Sequence, residues 1–414
     1  MIFASVWLGL SIWFAIGWAQ EASCFLPSAY VWWAIIGLAL LPGFMMSGMF
    51  FSNLLHWKCR TYPHTGQDTT VILCAHNEEE TVARTIQGVL DQDYPGKIRV
   101  LVVDNASTDR TRSEIFRVKE QARENRQVEY LYCAQKGKAH ALNTGLAQVE
   151  TSYFITVDAD TYLEKSAVQR IMDHINARQS ACVAGNLFVD RPTRTLCAKM
   201  QIYDYLMSIA AIKRYQGSYR STLVAQGAFS AYSTQAVREA GGWQDRMGED
   251  IVLTYQLLEK GLPSTYEPRA VGYTTVPQTW NGLYNQRKRW AIGMLEGLSQ
   301  VKPWQQGNSY SRYFTCLNMG VIYLDLAFLL GFIPGLILAC MGCFCLVGAL
   351  TIFTVAVGAL LSATVYLYQK KLGIPFHNSL PGFIAFLLVF QGLQSTAALH
   401  GYMIHLFHRK GEWK

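Results

Sequence analysis

Apolar residues crowd both ends of this chain and thin out between them. Runs at 2–19 and 31–51 are almost uninterrupted, 317–368 is nearly continuous, and a last run covers 382–407. Each is long enough for a membrane-spanning helix, which needs about 20 residues. The third run has room for two or three spans, with Pro334 and Gly335 as a break. Between 58 and 312 the pattern changes to short apolar runs separated by polar segments, the pattern of a soluble α/β domain. Strand-like runs at 71–74, 99–103, 130–133 and 153–157 alternate with helical stretches, two of which end near 90 and 149. That alternation predicts a mostly parallel, doubly wound sheet. Ser107 or Thr108 is placed to cap the helix after the second strand. Two further stretches are amphipathic. One covers 199–215, with Tyr203, Leu206, Met207 and Ala210 on one side, and one lies within 281–312, with Leu283, Trp290, Met294 and Leu298. Both suit either a membrane surface or a domain core.

Composition agrees with this division. A chain that is 51% hydrophobic and 16% charged is apolar for a soluble protein. The expected organisation is two spanning helices in 1–57, a domain in 58–280 and an interfacial helix in 281–312. Two to four spans and a short basic tail then fill 313–414. The first run lacks a basic leader, so a retained helix is expected rather than a cleaved signal. No Lys or Arg precedes Lys58, which with Arg60 follows the second run directly. The positive-inside rule then places the domain in the cytoplasm, beneath the cell (inner) membrane, with the N-terminus on the same side. Lys370-Lys371 and the tail residues Arg409, Lys410 and Lys414 also favour the inside. A single span between them cannot satisfy both, so the parity of the last spans stays open. The net charge of +7 does not point to nucleic acid. Cations near the apolar runs face membrane lipids, and the others can serve an anionic substrate. The ten cysteines show no paired metal spacing and read as free thiols of a reducing compartment.

The chemistry gathers where the strands end. The second strand runs into Asp104, the third is followed by Lys138, and the fourth ends in Asp158-Ala159-Asp160. Ligands of open α/β sheets bind at that edge. An acidic pair there can hold a hard divalent cation against a diphosphate. The bland reading of such a triplet is a solvated acidic turn. Taken together, these residues outline a nucleotide-diphosphate site. No G-x-x-x-x-G-K-[ST] occurs, and no G-x-G-x-x-G follows the first strand, so a P-loop and a dinucleotide fold are not expected. Further on, Met247-Gly248-Glu249-Asp250 opens a helix. Its acids suit the helix dipole, or one of them serves as a general base. Gln286, Arg289 and Trp290 share adjoining faces of one helical turn.

In order and spacing, Asp104, Asp158-Ala159-Asp160, Gly248-Glu249-Asp250 and Gln286-x-x-Arg289-Trp290 resemble the motifs of processive, membrane-integrated family 2 glycosyltransferases. That family includes poly-N-acetylglucosamine, hyaluronan, chitin and cellulose synthases. The resemblance covers about 66–300 and implies a glycosyltransferase A-type (Rossmann-like) domain inserted between transmembrane helices. It implies that Asp104 contacts uridine, Lys138 lies near the diphosphate, and Asp158 sits beside the nucleotide. Asp160 would hold Mg²⁺ or Mn²⁺, and Asp250, with Glu249 beside it, would be the catalytic base. Gln286, Arg289 and Trp290 would close over the diphosphate and acceptor, and Gly227 would line the acceptor path. Asn105 stands where many members have a second acid, which leaves the uracil and ribose contacts undivided. Gly248 stands where poly-N-acetylglucosamine and cellulose enzymes commonly have Thr. The implied activity is inverting polymerisation of a β-linked polysaccharide from a UDP-sugar, N-acetylglucosamine first. The growing chain would be both acceptor and cargo, passing through the protein's own helices, and small membrane or export subunits would be compatible partners. Two other readings remain. A glycolipid synthase would add one or a few sugars to ceramide or diacylglycerol. A transporter or flippase with a cytoplasmic domain would release no UDP. Asp325, inside an apolar run, is expected either at headgroup level or at the mouth of a polymer channel.

Overall fold

The computed structural model describes residues 2–190, 194–375 and 377–407. Arg409, Lys410 and Lys414, the expected basic tail, lie outside the described residues. Two helices, α1 (Ile2–Ala22) and α2 (Ser28–Leu55), lead in. The domain then runs β1 (Thr69–Ala75), α3 (Val82–Leu90), β2 (Ile98–Asp104), α4 (Thr111–Lys119), β3 (Arg126–Tyr132) and α5 (Lys138–Ala147). It continues with β4 (Tyr153–Asp158), β5 (Thr161–Leu163), α6 (Ala167–Arg178), β6 (Cys182–Val189), α7 (196–218) and β7 (Phe229–Ser233). It ends with α8 (Thr234–Glu239), α9 (Glu249–Glu259), β8 (Ser264–Thr274) and α10 (Trp280–Gln300). Three long helices follow: α11 (Ser309–Cys340), α12 (Ala349–Lys371) and α13 (Leu380–Phe407).

The strands form one eight-stranded sheet in the order β3-β2-β1-β4-β7-β6-β8-β5. The four strands foreseen from the apolar runs are its parallel half. Beyond them β7 runs antiparallel to both β4 and β6, and β5 antiparallel to β8, so the whole sheet is mixed. Alternation along β1 explains the double cover, since successive side chains point to opposite faces. Val71 and Leu73 join Val100, Val102, Ile155 and Val157 under α3, α4 and α6. Ile72 joins Leu101, Val103 and Phe154 on the other face, under α5 and α9.

Some local expectations change. Neither Ser107 nor Thr108 caps α4, which begins only at Thr111. Ser107 Oγ instead accepts from the Asn77 amide at 3.1 Å, and the Thr108 amide donates to Asn77 Oδ1 at 2.8 Å, tying the loops after β1 and β2 together. The third apolar run does not break at Pro334-Gly335. A π-helical segment, Phe328–Phe332, precedes the proline, and the helix continues to Cys340. The wider π turn tolerates the amide that proline lacks. The break falls at 341–348, so the run holds two helices.

By length and composition, α1, α2, α11 and α13 are apolar enough to cross a membrane. The domain sits between them in sequence. The amphipathic helices α7 and α10 are packed under it rather than left open. α7 is buried along most of its length. A Cβ at Gly382 of α13 would come within 2.5 Å of the Lys199 carbonyl oxygen, so α13 crosses α7 backbone to backbone. Farther along, Gly401 meets the Lys288 carbonyl of α10 in the same way, and Tyr284 and His400 hydrogen-bond at 2.9 Å. Asp325 is neither solvated nor open to a channel, contrary to both expectations. It is 1% exposed, and its oxygens accept from Ser395 Oγ at 2.8 Å and Tyr402 Oη at 2.7 Å. It is an interhelical tie between α11 and α13, its cost met by two hydroxyl donors.

Candidate active site

The site forms where β1, β2 and β4 end and α5 and α9 begin. At the end of β2, Asp104 is 2% exposed, with one oxygen accepting from the Ser107 amide at 3.0 Å and the other from Tyr130 Oη at 2.9 Å. Ala106, next but one, holds a left-handed φ of 56°, and Asn77 in the facing loop one of 55°. Non-glycine residues in that region are uncommon and concentrate at functional loops. Asn105 does not stand in for a second acid. Its amide donates to the Gln135 carbonyl at 2.7 Å and accepts from the Gly137 amide at 2.8 Å, which fixes the loop that delivers Lys138.

Lys138 is the hub. Its Nζ lies 2.5 Å from Asp158 Oδ1 and 3.7 Å from Glu249 Oε1. Burial opposes its charge, but Asp158 and Glu249 outweigh burial and hold the ammonium above its ordinary range. Gly227 packs on it: a Cβ there would lie 2.8 Å from Lys138 Nζ. The Gly227 amide also donates to Asp250 Oδ2 at 3.3 Å. Asp250 and Glu249 occupy the first turn of α9. Glu249 is buried, and burial pushes its carboxyl up to about 8, with Lys138 pulling the other way. Asp160 accepts from Thr275 Oγ1 at 2.5 Å, and burial followed by the charge of Asp158 raises its carboxyl. Burial likewise raises Glu78, with Asp160 and Asp158 adding to it. This is a crowd of acids around one lysine.

α10 is keyed to that crowd by two glycines. A Cβ on Gly248 would sit 2.5 Å from Gly293 Cα, and one on Gly293 would sit 2.7 Å from Gly248 Cα. The Gly248 amide donates to Glu296 Oε2 at 3.0 Å. Gly248 is therefore a packing residue, required by the close crossing of α10 over the start of α9. One turn earlier on α10, Arg289 and Trp290 are exposed, while Gln286 is half-buried with its carbonyl oxygen unpartnered among the described residues. The neighbouring Arg287 was not foreseen. It forms a buried pair with Asp204 of α7, Nη2 to Oδ2 at 2.5 Å, and its guanidinium lies 4.0 Å from the Trp290 ring centroid. Lys213 of α7 was also missed. Its Nζ donates to the Val224 carbonyl at 2.5 Å and to Gln226 Oε1, beside Gly227. Burial pushes it down to about 7, against the pull of Asp250.

Asp104, Lys138, Asp158, Asp160, Gly227, Glu249 and Asp250 thus share one end of the sheet, and α10, which bears Gln286, Arg289 and Trp290, crosses the start of α9 at Gly248 and Gly293. Among the described residues, no group of three or more His, Cys, Asp and Glu forms a closed metal site.

Residues 70–241 match the family model described as glycosyl transferase family 2. This stretch is a family 2 glycosyltransferase domain. The chain is 31% identical over 256 residues to the poly-β-1,6-N-acetyl-D-glucosamine synthase of Staphylococcus aureus, covering 60% of this chain and 61% of that synthase. It is 32% identical over 230 residues to the Staphylococcus epidermidis synthase of the same name, covering 55% and 54%. The chain spans about three-fifths of the length of the first of these relatives. A mannosyltransferase from Pyrobaculum calidifontis, solved with GDP-Man and Mn²⁺, shares the fold at 18% identity and a TM-score of 0.55, over 89% of this chain and 99% of that one. Past the matched stretch, β8 joins the same sheet, and α9 and α10 pack beside it.

Proposed function

We propose that this chain is a membrane-embedded, inverting UDP-sugar transferase that polymerises a β-linked, N-acetylglucosamine-containing polysaccharide and passes it through its own helices. The observation that carries the reading is the convergence on Lys138: Asp158 on one side, Glu249 on the other, and Gly227 linking it to Asp250. The identity to poly-β-1,6-N-acetyl-D-glucosamine synthases supports N-acetylglucosamine as the donor sugar. The basic residues after α2 support a cytoplasmic domain.

In this reading an acceptor hydroxyl gives its proton to Asp250 as its oxygen attacks the anomeric carbon of the donor. The sugar inverts and UDP leaves, with no covalent intermediate on the protein. Lys138 and Arg289 meet the negative charge that grows on the diphosphate. Asp104 orders the loop against which the nucleoside rests, and Asp158 keeps Lys138 charged. Trp290, exposed and stacked on the fixed Arg287, offers a flat face to the acceptor sugar. The donor set fits a Mg²⁺ or Mn²⁺ ion that arrives with substrate. Asp160 and Asp158 are close acids without a third ligand among the described residues, and such ions take one or two carboxylates plus phosphate oxygens. Asp160, with Asp158 beside it, would hold the ion, which would supply positive charge toward the leaving diphosphate.

Radiolabelled UDP-N-acetylglucosamine, incubated with the purified protein and followed by product sizing, tests this. Long polymer is the expected product. Label confined to lipid-extractable species of one or a few sugars would instead make the chain a glycolipid synthase.

A further inference from the structure

At the far end of the sheet from the acids lies a second cavity of about 120 Å³. It opens between the end of α2, the C-terminal end of α6, α7, the first half of β8 and the last turns of α12. β8 separates the two sites: Tyr266 and Glu267 line this cavity, whereas Thr275, just past the strand, holds Asp160. β8 is irregular between Tyr266 and Val271, and Tyr266 and Thr274 pair with Ala184 and Val189 of β6, five residues of extended chain or roughly 17 Å apart.

The lining is rich in cations. Lys58, Arg60, Arg178 and Arg214 face it, and none of the four forms an ion pair among the described residues. The one carboxylate in the lining, Glu267, is already engaged by His174 Nδ1 at 2.9 Å and Arg269 Nε at 2.8 Å. Arg214 is only 5% exposed. It donates to the His56 carbonyl and to Asn53 Oδ1 at 3.3 Å, and its guanidinium lies 3.2 Å from the Tyr368 ring centroid. A buried guanidinium without an anion is costly. Two residues of the lining, each 5% exposed, also carry a buried polar atom without a partner among the described residues, His174 Nε2 and Tyr266 Oη. Buried polar groups nearly always have partners, so orphans beside a cationic cavity point to an acceptor that fills it. The volume is several times the roughly 15 Å³ that admits one water, enough for a tetrahedral oxyanion.

We propose that this cavity binds a phosphate-bearing anion, with His174 and Tyr266 donating to its oxygens and Arg214 beneath it. It lies where α2 and α12 leave the apolar region: Trp57 meets Tyr368 edge to face at 5.7 Å, and Lys371 lies 5.6 Å from the Trp57 ring. A phospholipid headgroup can reach it from the membrane surface, and a soluble phosphate ester can reach it from the aqueous side. Bound there, the anion would tie both helices to β8 and so brace the domain against the membrane.

The test uses the full chain in bilayer discs of phosphatidylcholine, alone or with phosphatidylglycerol, and in detergent with inorganic phosphate. Thermal unfolding is followed by intrinsic fluorescence. Occupancy should raise the midpoint by about 2–4 °C or more, the shift expected for 1 kcal/mol in a domain of this size. Tyr266→Phe removes one hydroxyl and no charge, and Arg178→Gln changes only the half-buried rim. Both should lose most of that rise while keeping the midpoint found in phosphatidylcholine. Tyr266→Phe separates this site from general attraction of basic residues to an anionic surface. A rise with phosphatidylglycerol but not with phosphate assigns the lipid. A rise with phosphate and no preference for phosphatidylglycerol assigns the soluble ester. No rise with either anion, or a full rise in both variants, overturns the proposal.

Discussion

Gly293→Ala places one methyl group at the crossing of α10 and the start of α9. The added Cβ would stand 2.7 Å from Gly248 Cα, about 0.7 Å inside the 3.4 Å at which ordinary contact begins. The neighbour is backbone, so no rotamer change can relieve the clash. α10 must lift or tilt by several tenths of an ångström to about 1 Å, carrying Arg289 and Trp290 away from Asp250. Overpacking of this kind costs about 1–3 kcal/mol of stability, which the domain should survive. The catalytic cost is larger, because a misplacement of about 1 Å in a positioned group can cost about 100-fold in rate. UDP release measured with UDP-N-acetylglucosamine should therefore fall by one to two orders of magnitude, while UDP still binds through Lys138 and its neighbours. Gly320→Ala serves as a control, since a Cβ there meets nothing closer than 3.7 Å. Activity within a factor of two of wild type in Gly293→Ala would refute the claim that this crossing positions the Gln286-Arg289-Trp290 turn.

Other perturbations test separate parts. Asp160→Ala should abolish the Mn²⁺-dependent gain in UDP affinity measured by calorimetry; an undiminished gain would mean that another residue holds the cation. Asp325→Leu should strand the hydroxyls of Ser395 and Tyr402 and cost about 1–3 kcal/mol, lowering the unfolding midpoint in detergent without shortening the product. Shortened polymer at unchanged stability would contradict the interhelical tie. Glu249 has a raised carboxyl, so it contributes stability that is fully present below its ordinary value of 4.5 and lost as pH rises through about 8. The midpoint of the nucleotide-free protein should therefore fall between pH 5 and 9, and Glu249→Gln should flatten that fall; parallel profiles would show that the group titrates normally.

The parallel half of the sheet was readable from the chain because its strands are buried on both faces and appear as short apolar runs ending in acids. β6, β7 and β8 were harder. Asn186, Ser230 and Glu267 interrupt their apolar patterns; all three are buried, and Asn186 and Glu267 find their partners, Pro268 and His174, far away in sequence. Asp104, Asp158 and Asp160 were legible because they lie at the ends of strands, and Lys138, Glu249 and Asp250 because they open helices. The Asp204–Arg287 pair and Lys213 were not, because their partners lie on other elements, a second helix for the pair and the loop before β7 for Lys213, and nothing local marks them as buried. The two glycines of the α9–α10 crossing carry no local signature at all. Gly248 looked like a clue to product type, and only its 2.5 Å approach to Gly293 gives it a physical reason. Asp325 looked functional from its apolar surroundings, yet Ser395 and Tyr402, some 70 residues away, satisfy it.

The central claim is that Asp250 activates an acceptor for transfer from a UDP-sugar. UDP release by the purified protein, compared across UDP-N-acetylglucosamine, UDP-glucose, UDP-glucuronate and UDP-galactose for wild type and Asp250→Asn, tests it most directly. The account predicts release that is fastest with UDP-N-acetylglucosamine. It also predicts a drop of at least about 100-fold in Asp250→Asn with UDP binding retained. No release from any donor, or near-normal turnover in Asp250→Asn, would contradict it.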